Sequence, residues 1–246
     1  MQKDYERLYH ELELTHWWFV GRRHAILTIL SRFPKDARIL ETGCSGGALL
    51  LDLKTHGFTR AEGLDISSQA IEICHERGLD NVTLASAEQS GKESNSIDVI
   101  IAADILEHIA DEKNAIKEWR RILKPGGTLI LFVPAFQFLW SEHDAMNEHF
   151  RRYRRKPLIA LLNQHGFIIE KSSYWNFLLF FPTLLIRLCG RFFASHKKPR
   201  PQLFFLPSLL NTMFIALLKG ENYLLLRLGI SYPVGVSVFV RARKKR

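Results

Sequence analysis

Cysteine is scarce in this chain of 246 residues. Cys44, Cys74 and Cys189 are odd in number and widely spaced, so neither a disulfide framework nor the ligand spacing of a zinc site can be read from them. The first residues, MQKDYERLYHELEL, also lack the early apolar block of a secretory signal. These absences predict a reducing, cytoplasmic setting.

Long uninterrupted apolar runs are missing as well. A membrane-spanning helix needs about 20 mainly apolar residues. Residues 175–230 are apolar, but Pro182 and Arg187 break the first half, and Pro207 and Asn211 break the second. We therefore expect helices lying in a membrane interface or a shallow hairpin, with a helical subdomain packed on the protein as the alternative.

Acidic residues are outnumbered, and the net charge is +9. Much of the excess lies after residue 150, in RRYRRK, SHKKPRP and RARKKR. Basic segments beside apolar ones suggest an anionic membrane surface or a nucleic acid as partner, and a solvated basic surface is the alternative.

Strand-like and helix-like segments alternate along the first two thirds of the chain. Apolar strands with helices between them favour a parallel sheet covered on both faces. Two helices are expected within residues 4–32, and a further helix and two strands toward the C-terminus. The predicted strands are 37–41, 61–65, 81–85, 97–102, 128–133, 167–174 and the stretch VGVSVFVRARK, and the later helices are 47–55, 67–77, 110–122 and 156–165.

A loop of small residues follows the first strand, in RILETGCSGG. The dinucleotide pattern G-x-G-x-x-G would place Gly43, Ser45 and Ala48 at its glycine positions, which is a poor fit. The pattern E-x-G-x-G-x-G is met at Glu41, Gly43 and Gly47, with Ser45 in place of the middle glycine.

Acids stand at the ends of the first two strands. Glu41 would repel a pyrophosphate, but it suits the ammonium and sulfonium of S-adenosylmethionine. Asp65, in GLDIS, can accept both hydroxyls of a ribose. The two acids and the glycines together indicate that cofactor.

Four motifs carry a resemblance to the class I S-adenosylmethionine-dependent methyltransferases of the type-11/type-12 domain: LETGCSGG, GLDIS, IDVIIAADILEHIAD and RILKPGGTLILFVP. It covers roughly residues 36–175 and the last strand. It implies a Rossmann-like, seven-stranded, mostly parallel sheet with an antiparallel last strand. The domains expected are N-terminal helices covering the site (1–35), the methyltransferase domain (36–174 with 234–243) and an apolar helical insert before the last strand (175–233).

The resemblance also implies which residues contact the cofactor. The loop after the first strand would wrap the methionine part, Asp65 would bind the ribose, and residues after the second and third strands would contact the adenine. The full set is Glu41, Gly43, Cys44, Ser45, Gly47, Asp65, Ile66, Ala87, Glu88 and Asp104. For Ile66 and Ala87, ordinary core packing is the alternative.

A second constellation lies in ADILEH, where Asp104, Glu107 and His108 stand at i, i+3 and i+4. If helical, they share one face. We expect His108 to be a general base without a metal. A divalent metal on these three residues is the alternative, since the segment is similar to the E-x-x-E-H segment of ubiquinone-pathway O-methyltransferases. Simple helix capping by Asp104 is the third interpretation.

A polar loop after the fifth strand, WSEHDAMNEHFRRYRR, can close over the acceptor. His143 and His149 are further candidate catalytic residues, and Asp144, Arg152 and Tyr153 are candidate acceptor ligands, because arginine suits phosphate or carboxylate. A solvated helix start is the alternative.

The segment HWWFVGRRH can form the opposite wall of the acceptor site, with Trp18 and Arg22 facing the acceptor. Paired tryptophans beside paired arginines also suit a membrane interface.

We therefore predict methyl transfer to oxygen on a small or lipid-linked acceptor, by a cytoplasmic protein peripheral to the inner face of a membrane. One alternative is an RNA or other nucleic-acid methyltransferase, although AADILEH lacks the N/D-P-P-Y/F segment of amino-methylating DNA enzymes. The other is a non-catalytic module that binds S-adenosylmethionine.

Overall fold

The structure is a computed structural model that describes residues 3–192 and 205–246, with side chains described over 9–189 and from 205 onward. The basic stretch SHKKPRP, to which part of the excess positive charge was assigned, lies outside the described residues.

One sheet of seven strands organises the described chain, in the order β3-β2-β1-β4-β5-β7-β6. β7 pairs antiparallel with both β5 and β6, and the other pairings are parallel. The predicted Rossmann-like sheet with an antiparallel last strand is confirmed. The strands are β1 Ile39–Thr42, β2 Ala61–Asp65, β3 Val82–Leu84, β4 Ile97–Ala103, β5 Leu123–Pro134, β6 Phe167–Trp175 and β7 Ser237–Lys244.

The helices predicted between the strands are found with small shifts of their ends, and the loop after β5 contains one further short helix, α6. The helices are α1 Lys3–Thr15, α2 Trp17–Leu30, α3 Ala48–Thr55, α4 Ser68–Glu76, α5 Glu112–Ile122, α6 Glu142–Met146, α7 Arg155–Gln164, α8 Phe180–Phe192 and α9 Ser208–Leu226, with 3-10 turns at Leu106–His108 and Gln137–Leu139.

The stretch LKPGG, which precedes the predicted strand 128–133, is already part of β5. Leu123 pairs with Ile97, and the register then shifts before Thr128 pairs with Val99. Gly126 has φ +80°, so the backbone turns sharply within this shift.

The central strands are buried on both faces, as near-continuous apolar runs require. Every residue of β1 is buried, and Ile97 and residues 99–102 of β4 are buried too. α5 covers the sheet with a single apolar stripe that includes Trp119 and Ile122. Because these strands are held rigidly in the core, the positions at which the loops after them begin are fixed as well.

The apolar insert predicted before β7 packs on the domain through one face of α9. Asn222 of α9 accepts a hydrogen bond from Trp175 Nε1 at 2.7 Å and donates one to the carbonyl of Gly21 in α2 at 2.8 Å. Asn211 accepts the backbone N–H of Trp17 at 2.8 Å. No helix within the described residues is both long and apolar enough to cross a membrane.

Candidate active site

The loop after β1 is held by the carboxylate that ends β2. Asp65 Oδ2 accepts the N–H of Ser45 at 2.9 Å, and Oδ1 accepts the N–H of Ser67 at 2.9 Å. A carboxylate offers about four lone-pair positions, and this chemistry suits the hydroxyls of a ribose. Gly43 and Gly47 have φ +73° and +80°, which explains why glycine stands at both positions.

Glu41 lies one residue before the end of β1 as a buried carboxylate, and its Oε2 has no hydrogen-bond partner among the described residues. Burial raises the pKa of Glu41 well above its ordinary value, while the nearby Arg22 acts in the opposite direction. A buried acid without a partner is costly unless a ligand satisfies it. The ammonium of S-adenosylmethionine has the charge and the donors to do so, and the residues present therefore fit the cofactor.

The predicted adenine contacts divide into two kinds. Ile66, directly after β2, is 74% exposed, so the core-packing alternative does not hold for it. Ala87 is buried in the core, where that alternative does hold. The side chain of Cys44 is likewise buried, and its sulfur would lie 2.8 Å from a Cβ added to Gly63. Cys44 would therefore contact the cofactor through its backbone.

Helix α1 packs against the same loop. Arg77 donates to the carbonyl of Gly46 at 2.6 Å and to that of His10 in α1 at 2.8 Å, and it also forms an ion pair with Glu13. His10 Nδ1 lies 3.0 Å from Ser45 Oγ. No local sequence signal indicated these contacts, because they join residues far apart in the chain.

Asp104 does not begin a helix, which corrects the shared-face expectation for ADILEH. It has φ +55°, and only Leu106–His108 form a 3-10 turn. Its carboxylate pairs instead with Arg22 of α2. The guanidinium of Arg22, predicted to face the acceptor, is thus engaged by Asp104. The ring of Trp18 packs edge-on to Trp175, with centroids 5.1 Å apart.

Glu107, expected at an exposed helix start in the capping interpretation, is fully buried. Neither carboxylate oxygen has a hydrogen-bond partner among the described residues, and burial raises its pKa to about 8. One donor atom each of Glu107, His108 and His149 lies within 4.8 Å of the others, a spacing that one cation could bridge. Asp104 is not part of this group, which corrects the predicted metal set.

The loop after β5 is built around Asp144, whose carboxylate is fully buried. Arg152 donates to it from Nε at 2.7 Å and from Nη2 at 3.0 Å, and Nη1 donates to the carbonyl of Ala135 at 3.0 Å. His149 Nδ1 lies 2.9 Å from Asp144 Oδ1.

Internal pairing thus corrects three predicted acceptor ligands. Asp144 and Arg152 bind each other rather than facing an acceptor. Tyr153 is also buried, and its hydroxyl donates a hydrogen bond to Glu112 Oε2 at 2.7 Å. These side chains hold the loop in place.

Three histidines meet above this pairing. The rings of His108 and His149 are perpendicular with centroids 4.5 Å apart, and those of His143 and His149 lie 6.2 Å apart. Burial lowers the pKa of His108 to about 3 and that of His143 to about 4, so both are neutral at pH 7. The arrangement supplies two neutral imidazoles beside a third ring, that of His149, whose Nδ1 contacts a carboxylate.

Comparison with known proteins agrees with this geometry. A family model described as a methyltransferase domain matches residues 40–131. The ubiquinone biosynthesis O-methyltransferase of Colwellia psychrerythraea is 25% identical over 150 residues, which cover 53% of this chain and 61% of that protein. The enzyme of the same description from Xanthomonas oryzae pv. oryzae is 30% identical over 105 residues, covering 39% and 42%. The chain thus spans between about two fifths and three fifths of the length of these relatives.

Solved structures show the same fold. A methyltransferase from Thermotoga maritima, described as a possible histamine N-methyltransferase, has a TM-score of 0.61 and 22% identity, covering 100% of both chains. Phosphoethanolamine N-methyltransferase 2 of Haemonchus contortus, in complex with S-adenosyl-L-methionine, has a TM-score of 0.60 and 18% identity, covering 92% of this chain and 52% of that one.

Proposed function

We propose that this chain, whose residues 40–131 belong to the class I S-adenosylmethionine-dependent methyltransferases, transfers a methyl group to an oxygen atom of a small-molecule or lipid-linked acceptor. The observation that carries the oxygen assignment is the pair His149 and Asp144, 2.9 Å apart, in the loop that follows β5. The relatives described as O-methyltransferases support the same choice.

The cofactor would rest on residues already described. Glu41 would bind its ammonium, Asp65 its ribose hydroxyls, and Ile66 would pack on its adenine. When bound, the cofactor supplies an electrophilic methyl group on a positively charged sulfur, which leaves as a neutral thioether.

An acceptor hydroxyl must lose its proton as its oxygen is methylated, so a neutral base has to stand beside it. His149 takes that proton at its ring. The low pKa of His108 keeps this neighbour uncharged, so it does not repel the imidazolium that forms on His149. Arg22, near both Glu41 and Glu107, connects the cofactor end of the site to the histidine end.

Methyl transfer can be tested with radiolabelled cofactor and two acceptor mixtures, a membrane lipid extract and a water-soluble metabolite extract. We expect the label in the lipid product, and we expect hydriodic acid to release it as methyl iodide, the reaction of a methyl ether. Label that resists this treatment would contradict oxygen methylation. Label on RNA, or cofactor binding without any transfer, would favour the nucleic-acid or non-catalytic alternative.

A membrane surface is the partner that suits the outer faces of α8 and α9. Ile186 of α8 is 69% exposed, and Leu209 of α9 is 80% exposed. Other large apolar side chains in and beside these two helices are exposed as well: Leu178, Phe181, Leu185, Leu188, Phe205, Leu210, Met213, Tyr223, Leu224, Leu228 and Ile230. Exposed Lys219 and Arg227 add positive charge beside them. Apolar faces with basic flanks bind anionic lipid surfaces.

Flotation with phosphatidylglycerol and phosphatidylcholine vesicles tests this partner. The wild-type chain should float, and the variant Ile186→Glu with Leu209→Glu should stay at the bottom of the gradient. Ile168→Glu is the matched control, because Ile168 is a comparably apolar residue, 41% exposed, on β6. Loss of flotation in the control, or its retention in the double variant, would contradict the assignment.

Metal-assisted methyl transfer is a second candidate, favoured by the unpartnered carboxylate of Glu107 beside two imidazoles. A cation there would orient the acceptor oxygen and lower its pKa. Metal analysis of the purified protein, with Glu107→Gln as the control, separates the two mechanisms. A stoichiometric divalent ion that disappears in the variant would favour the metal, and full activity after chelation would exclude it.

A further inference from the structure

Asp144 is the most heavily hydrogen-bonded carboxylate of the candidate site. It accepts the backbone N–H of Ser141 at 2.8 Å, two bonds from the guanidinium of Arg152 at 2.7 and 3.0 Å, and the contact from His149 Nδ1 at 2.9 Å. Burial alone would favour its neutral form, but the hydrogen bonds from His149 and Arg152 lower the pKa of Asp144 well below its ordinary value. The two bonds from the Arg152 guanidinium and the bond from the Ser141 N–H are also the geometry of an ionised carboxylate.

An ionised carboxylate can only accept hydrogen bonds. The nitrogen of His149 that faces Asp144 must then donate, so Nδ1 carries the hydrogen. In a neutral imidazole the other nitrogen, Nε2, keeps the free lone pair. Nε2 lies on the opposite edge of the ring from the Asp144 contact, and the ring itself lies 4.5 Å from that of His108.

The segment builds this pair locally. Ser141 and Asp144 form a reciprocal capping box at the start of α6, which fixes the carboxylate before the chain reaches His149. Arg152 then covers the carboxylate from the other side, and its own side chain is only 5% exposed. The side chain of His149 is 8% exposed, so little water competes for its ring.

We propose that Asp144 is a positioning residue that holds His149 as the Nδ1–H tautomer with Nε2 free to take the acceptor's proton, and that Arg152 keeps Asp144 in place as its buried counter-ion. This rests on the proposed function for its catalytic meaning, but the tautomer itself does not depend on any acceptor. Asp144 and Arg152 then act through His149 instead of touching the acceptor.

The tautomer can be read directly on the full chain labelled with ¹⁵N-histidine, by long-range correlation of ring nitrogens with ring carbon-bound hydrogens. His149→Gln identifies the His149 signals. We expect the Nδ1–H pattern for His149 in the wild-type protein. In Asp144→Asn, whose amide can donate to Nδ1, we expect the Nε2–H pattern. An Nε2–H pattern in the wild-type protein would overturn the proposal whatever happens to the variants.

Kinetics separate positioning from a structural role. Asp144→Asn should lower kcat on the lipid extract by about 10²- to 10⁴-fold, the range for loss of a general base. Its cofactor affinity, measured by calorimetry, should stay within about twofold. Arg152→Lys keeps a positive charge and the ionised Asp144, so it should retain the Nδ1–H tautomer and lose much less kcat.

Three outcomes sort the possibilities. An unchanged tautomer in a folded Asp144→Asn would overturn the positioning role. A changed tautomer with unchanged kcat would overturn the role of His149 as base. Should no extract yield any methylated product, the proposed function fails, while the wild-type tautomer still tests whether Asp144 orients His149.

Discussion

The seam between α2 and α9 offers a sharp test of how the apolar insert joins the domain. Gly21 of α2 faces Leu218 of α9, and both are buried. A Cβ added to Gly21 would lie 2.4 Å from Leu218 Cδ1 and 2.9 Å from its Cβ. The first contact can be relieved by turning the leucine, but the second requires the helices to move apart.

Gly21→Ala combines two opposing effects. Alanine favours a helix interior by about 1 kcal/mol over glycine. Overpacking a tight core costs about 1–3 kcal/mol. We therefore expect a net loss of about 1 kcal/mol, whereas Leu218→Ala alone should cost about 2–5 kcal/mol as a fully buried leucine.

The double variant should be more stable than the sum of the two changes predicts. Removing Cδ1 and Cγ of Leu218 relieves the closest contact, while the 2.9 Å contact to the Cβ remains. The coupling energy should be about 1–2 kcal/mol, since residues in contact deviate from additivity by this order.

Denaturant unfolding of the four proteins measures this cycle. Gly220→Ala in α9 is the matched control, because a Cβ there meets nothing within 4 Å and should stabilise the helix by up to about 1 kcal/mol. Additivity of Gly21→Ala and Leu218→Ala within about 0.5 kcal/mol would refute the close seam.

Three further predictions concern single residues. Glu41→Gln should raise the melting temperature, because it removes a buried acid whose pKa burial raises. It should also weaken cofactor binding at least tenfold, as measured by calorimetry. Equal cofactor affinity in the variant and the wild-type protein would contradict the ammonium contact. Burial lowers the pKa of His16 to about 4, so the free energy of unfolding should fall by at most about 3 kcal/mol as the pH drops from about 6.5 to 4. His16→Asn, which can still cap α2, should flatten this pH dependence in unfolding titrations. Identical slopes in the two proteins would exclude His16 as the cause of the pH dependence. Phe136 has φ +57°, so Phe136→Gly should be more stable than Phe136→Ala by about 1 kcal/mol, and the reverse order would show that the backbone relaxes.

The cofactor half of the site could be predicted because its signals are local. Glu41, the glycines and Asp65 lie where strands end, and strand ends follow from runs of apolar residues. Parallel strands then bring these ends to one edge of the sheet.

The histidine half was harder to predict because its pairings join distant segments. Asp104 pairs with Arg22, 82 residues earlier, and this contact with a left-handed backbone prevents the expected helix. Asp144, His149 and Arg152 are close in sequence, but their spacing is equally compatible with acceptor binding. Only the hydrogen bonds in the structure show that they bind each other.

The sequence of α9 contains a feature that indicates packing against protein. Glu221 and Asn222 stand together in a mainly apolar helix. Glu221 accepts the backbone N–H groups of Phe177 and Leu178 at 3.0 and 2.7 Å, just before α8. A buried polar pair of this kind indicates packing on protein, since lipid would leave it unsatisfied.

Four of the six non-glycine residues with positive φ in the described chain lie at one edge of the sheet. Ser45, Asp104, Phe136 and Asn176 follow β1, β4, β5 and β6, with φ between +51° and +60°. β5 and β6 both run antiparallel to β7, so all four strands end at the same edge. Each such residue costs on the order of 1–2 kcal/mol.

This cost is offset by contacts that need the side chain. The ring of Phe136 stacks on those of Phe138 and Tyr174, with centroids 4.9 and 4.7 Å apart, and glycine would lose both contacts. Asp104 likewise needs its carboxylate for Arg22. The strained residues thus occur where side chains extend over the edge of the sheet. Glu41, Asp65 and the three histidines lie at the same edge. Because the strained backbone and the candidate site share this edge, we infer that the strain serves to place the side chains of the site.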